Sequence, residues 1–149
     1  MARKTARAAA MQLIFEQLAG GQGGEETLQM VYEALRQEEA SQVEAGEPGV
    51  KDRAWIQGVL EGVLAHLDEL DDEISAASRN WTIERMNKVD LTILRLAAWE
   101  ILFENDKDVP GTIAISEALE LAEKYSDPAS VRFVNGVLGT ILRKKEAAE

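Results

Sequence analysis

The sequence predicts an all-α protein, and three observations carry that prediction. Apolar residues recur at three- and four-residue spacing in the long segments, and no segment holds the strict alternation of a half-buried strand. The three Pro and most of the Gly fall between those segments or at their starts, at 20–24, 46–49, 110 and 128, where helices end or begin. The third observation is a stretch that argues the other way and loses. Phe133-Val134-Asn135-Gly136-Val137-Leu138 alone reads as a hairpin around an Asn-Gly turn. Its surroundings run at helical period, with Val134, Leu138, Ile141 and Leu142 on one stripe, so the Asn-Gly pair is predicted inside a helix. A glycine there costs about 1 kcal/mol in helix propensity.

A first helix is expected over 3–19, its apolar face made by Ala6, Ala10, Leu13, Ile14 and Leu18. Gly20 to Gly24 ends it, and a second helix is expected from Glu25 to Ala40 with Leu28, Val31, Tyr32 and Leu35 inward. Residues 41–50 read as a polar loop. A third helix, about Lys51 to His66, carries Trp55, Ile56, Val59, Leu60 and Val63 at helical spacing. The acidic run Asp68 to Glu73 suits a helix start, because carboxylates there complement the helix dipole, and that fourth helix ends near Ser78. A short fifth helix, 81–86, is expected with Thr82 as its cap. Asp90 is expected to cap a strongly apolar helix reaching Phe103, followed by helices over 111–124 and from Pro128 to about Lys145.

Composition narrows the function classes. The 149 residues are 46% apolar, enough for a core. No run approaches the roughly 18 uninterrupted apolar residues of a membrane span, and the N-terminus lacks the apolar region of a signal peptide. There is no cysteine and one histidine, His66. Thiolate metal sites and Cys nucleophiles are excluded, and a Ser-His-Asp triad or multi-histidine metal site has little to draw on. Asp68 to Glu73 lacks the glycine and terminal glutamate of an EF-hand loop. Gly20 to Gly24 lacks the Gly-Lys-Ser/Thr of a phosphate loop. Trp55, Trp81 and Trp99 lie on apolar stripes and are expected in the core. No catalytic residue, metal or cofactor is expected.

The net charge of −11 argues at first against nucleic acid. The total hides a partition, since residues 16–127 carry 25 acidic and 9 basic residues, a net of −16. Residues 1–15 hold Arg3, Lys4 and Arg7 with no acid, and 128–145 hold Arg132, Arg143, Lys144 and Lys145 with no acid. Such asymmetry suggests a local anion-binding surface on an acidic body, while cations near a helix C-terminus also simply complement its dipole. Unstacked RNA is bound by cations on phosphates together with aromatic stacking. Arg3, Lys4, Arg7 and Phe15 supply that mixture on the first helix, and Arg132 with Phe133 supply it on the last.

Three segments, in order, resemble the NusB family of transcription antitermination factors. They are Arg3-Lys4-Thr5-Ala6-Arg7 through Gln12-Leu13-Ile14-Phe15; Trp81-Thr82-Ile83-Glu84-Arg85 followed by Asp90 to Ala97; and Pro110, Ile113 to Tyr125, Ser130 and Phe133 to Leu138. Only the last is specific alone. The resemblance implies a single all-α RNA-binding domain over 1–149 in two packed helical halves, about 1–79 and 80–149. It implies binding of the boxA element of ribosomal RNA leader transcripts, with the ribosomal protein NusE as partner, in a complex on RNA polymerase that suppresses termination in the cytoplasm. By matching position it places Arg3, Lys4, Arg7 and Phe15 on RNA, Arg132 and Phe133 near it, and Asp90 at the partner. The chain departs from the family in its short basic start, its longer acidic 41–50 loop and Ser116 where asparagine is usual. A related domain begins some ribosomal RNA cytosine methyltransferases, but needs a following cofactor-binding domain for which these 149 residues leave no room. The alternative from another class is an acidic, all-helical protein-interaction module without RNA binding.

Overall fold

The computed structural model describes residues 3–18, 50–79, 81–104 and 110–148, with side chains from Ala6 in the first stretch and Ala54 in the second. The helix expected over 25–40, the 41–50 loop and the glycine-rich connector lie outside the described residues. The elements are α1 (Arg3–Leu18), α2 (Val50–Ala65), α3 (Leu67–Ser78), a 3₁₀ turn (Ile83–Arg85), α4 (Lys88–Leu102), α5 (Gly111–Tyr125) and α6 (Pro128–Ala148). There is no strand among the described residues. Phe133 to Leu138 runs through the middle of α6, so helical periodicity and tertiary packing override the local Asn-Gly signal. The chain divides into two compact units, Met1–Gly62 and Val63–Glu149.

In the first unit the buried face of α1 is Ala6, Ala9, Ala10, Met11, Leu13 and Ile14, and α2 contributes Ile56 and Val59. Three alanines on that face leave no bulk between helix backbones, so neighbours approach closely while helix propensity stays high.

The second unit is built on α4, which packs against α3, α5 and α6. Leu91, Ile93, Leu94, Leu96, Ala97, Ala98 and Ile101 are all buried, which is why its sequence is apolar nearly all round. A bidentate pair ties α3 to it: Arg95 donates from Nε to Asp71 Oδ1 at 2.7 Å and from NH2 to Oδ2 at 2.8 Å. The start of α5 lies hard against α6, since a Cβ on Gly111 would stand 2.5 Å from Leu142 Cδ1. A larger residue at that position requires the Leu142 side chain to shift.

The cations near the end of α6 are largely consumed by the fold. Lys145 Nζ donates to the Ile101 carbonyl at 2.6 Å, satisfying a free acceptor at the end of α4. Lys144 Nζ lies 3.4 Å from Glu73, and Arg143 donates to Thr140 at 3.2 Å. His66 falls between α2 and α3 in the chain, its ring stacked on Phe103 at 4.0 Å and its Nδ1 3.2 Å from Glu69 Oε1.

Two expected caps need correction. Helix α4 starts at Lys88 and its cap is Asn87, whose side-chain oxygen accepts from Val89 N at 2.8 Å and Asp90 N at 3.4 Å. Asp90 is three residues further in, where its carboxylate is released for another task. Thr82 precedes a single 3₁₀ turn and makes no side-chain cap bond.

Candidate nucleic-acid interface

The two clusters of candidate residues have opposite dispositions. On α1, Arg3 and Lys4 fall in the first turn, with side chains outside those described. Arg7 is 4% exposed, and its guanidinium carbon lies 5.7 Å from the Trp55 ring centroid. That is cation–π distance for a desolvated pair. Phe15 is half-buried. Arg7 is therefore buried and engaged with Trp55 inside its own unit.

In the second unit, Phe133 and Trp81 form the walls of an open cleft of about 310 Å³, lined also by Arg85, Met86, Asp127 and Ser130. The two rings meet edge to face, with centroids 5.9 Å apart at 63°. Phe133 is half-buried and fixed on α6, while Trp81 is 53% exposed. Trp81 was expected in the core and is not there. It follows the end of α3, where Arg79 takes a left-handed φ of 54°, a conformation uncommon for a residue with a Cβ. The buried Ser78 hydroxyl lies 3.0 Å from the Trp81 carbonyl as donor, and Trp81 N donates back to the Ser78 carbonyl at 3.4 Å. The tryptophan backbone is thus pinned while its indole faces outward.

Arg85 and Arg132 are exposed. Among the described residues neither side chain has an ion-pair or hydrogen-bond partner, in contrast to Lys144, Lys145 and Arg95. Beneath the cleft, Asp90 is 6% exposed. The Ser126 hydroxyl donates to Asp90 Oδ1 at 2.7 Å and the Ser130 hydroxyl to Oδ2 at 2.7 Å. Ser130 N donates to Asp127 Oδ1 at 2.9 Å, making Asp127 the cap of α6 ahead of Pro128. Asp90 thereby joins the start of α4 to the junction of α5 and α6. Carboxylate hydrogen bonds of this length are charge-assisted and strong, so the ledge carrying Arg132 and Phe133 is fixed.

The NusB family model matches residues 4–143. The chain belongs to the NusB family. The transcription antitermination protein NusB of Clostridium botulinum strain Alaska E43 is 40% identical over 146 residues, covering 97% of this chain and 100% of that protein. Among solved structures, NusB of T. maritima superposes with a TM-score of 0.75 at 27% identity, covering 100% of this chain and 99% of that one. A crystal structure of antitermination factors NusB and NusE in complex with double-stranded RNA matches with a TM-score of 0.73 at 26% identity. It covers 95% of this chain and 96% of that one.

Within this NusB-family fold, the sequence pointed to Phe133 and Arg132 but not to their neighbours Trp81 and Arg85. The stripe read for Trp81 does not form, because the residue lies between the end of α3 at Ser78 and the 3₁₀ turn that starts at Ile83.

Proposed function

We propose that this chain is a transcription antitermination factor. It binds the boxA element of ribosomal RNA leader transcripts together with the ribosomal protein NusE, within the RNA polymerase antitermination complex. Family membership over nearly the whole chain supports this reading, as does the related assembly of NusB with NusE and RNA. The observation that carries it is the open aromatic cleft, with Arg85 on its lining and Arg132 next to Phe133, neither side chain paired among the described residues, on a chain of net charge −11. No described helix is long and apolar enough to cross a membrane, and the protein works in the cytoplasm as a binding factor, not an enzyme.

The residues divide by role. Arg3 and Lys4 at the start of α1, with Arg132 on α6, contact phosphate. Phe133 stacks on RNA. Phe15, half-buried on α1, lies alongside the RNA, and Arg7 supports the first unit from beside Trp55. Asp90 serves NusE binding indirectly, by fixing the α5–α6 junction through Ser126 and Ser130.

The test is fluorescence anisotropy with boxA RNA and a scrambled RNA of equal length, with and without NusE. Preference for boxA that strengthens when NusE is present is the expected result. NusE binding with equal, weak affinity for both RNAs would instead make the chain a protein-interaction module.

A further inference from the structure

We infer that the cleft between Trp81 and Phe133 takes one unstacked nucleobase of the bound RNA, one that presents an amino group on its pairing edge. The inference rests on the RNA-binding reading above and adds Trp81, Arg85 and Asp127 to the residues that read the RNA. A tryptophan 53% exposed with its backbone pinned by Ser78 is a preorganised stacking face, since every base has a π-face to offer it. Phe133, edge-on at 5.9 Å, closes one side and fixes the depth. The two arginines without side-chain partners among the described residues, Arg85 on the cleft and Arg132 next to Phe133, complement the phosphates flanking a splayed base.

Asp127 decides the base edge. One of its oxygens accepts from Ser130 N, and the exposed side chain lines the same cleft with no second side-chain hydrogen bond among the described residues. A carboxylate there repels phosphate and accepts a hydrogen bond from the exocyclic amine of adenine, cytosine or guanine. Uracil presents a carbonyl in that place and is disfavoured. The base therefore enters amine first, with its phosphates outward toward the arginines.

The experiment is a double-mutant cycle between Trp81→Ala and single abasic sites placed along synthetic boxA RNA, with NusE present. At one position the abasic site should weaken wild-type binding roughly 5- to 150-fold, the range of one stacked base, and barely change binding by Trp81→Ala. Trp81→Phe should restore most of the coupling. Asp127→Asn keeps the cap of α6 and should narrow discrimination against uracil at that same position. Far-UV circular dichroism accompanies each variant. Equal abasic losses in wild type and Trp81→Ala at every position overturn the inference and leave RNA binding standing. A wild-type chain that fails to bind boxA RNA with NusE present overturns both. Loss of NusE affinity in Trp81→Ala with RNA affinity intact assigns the cleft to protein and also overturns it.

Discussion

Each unit contains an arginine beside a tryptophan, and the two uses differ. In the first, Arg7 is 4% exposed over the Trp55 ring, so its charge serves the interior of its own unit. In the second, Arg85 shares a cleft with a Trp81 that is 53% exposed, and the Arg85 side chain has no partner among the described residues. The same residue types thus serve stability in one place and remain open to a ligand in the other. Burial makes the difference: a desolvated guanidinium must be satisfied where it stands, while an exposed one waits for an anion at little cost.

The largest effect should come from the buried arginine. Arg7→Ala removes the buried cation beside the Trp55 ring and the stem that packs there, and should cost about 3 kcal/mol of stability, the lost cation–π contact and packing together. Urea denaturation measures it, and a decrease below about 0.5 kcal/mol, the level of an ordinary surface change, would erase the contrast between the units. Asp90→Ala comes next. It leaves the Ser126 and Ser130 hydroxyls without their acceptor and should cost about 2–3 kcal/mol, as expected for hydrogen bonds to a charged group. Binding of NusE should weaken with it. Full stability together with abolished NusE binding would instead make Asp90 a direct partner residue.

The smallest effect sharpens the comparison from the stabilising side. Gly136 lies mid-helix in α6, and a Cβ there meets nothing within 4 Å. Gly136→Ala should therefore raise stability by about 0.5–1 kcal/mol, seen as a higher melting temperature. A fall would mean that the helix needs glycine's backbone freedom at that point.

The sequence made the helices legible wherever an apolar stripe was long, as in α1 and α4, because burial of one face leaves a 3.6-residue period. It did not separate Asn87 from Asp90 as the cap of α4. Both are good cap residues three positions apart, and only the serines at 126 and 130 decide which side chain is free. Exposure was the other gap. Trp81 and Trp55 look alike in composition, and only the turn after Ser78 sends the first outward. The C-terminal cations left two readings open, an anion-binding surface or complements to the helix dipole. Lys145 is committed to the Ile101 carbonyl and Lys144 to Glu73, partners supplied by residues far away in the chain.

The contrast between the two arginine sites is tested most directly by the salt dependence of boxA RNA binding in the presence of NusE. The slope of log affinity against log salt is measured for wild type, Arg7→Ala and the Arg85→Ala/Arg132→Ala pair, each with a parallel melt. The pair should flatten the slope by about 1.4, because each single-strand phosphate neutralised accounts for about 0.7, while its melting temperature stays at the wild-type value. Arg7→Ala should melt earlier with its slope unchanged. A flattened slope in Arg7→Ala, with wild-type slope in the double variant, would contradict the assignment of both sites.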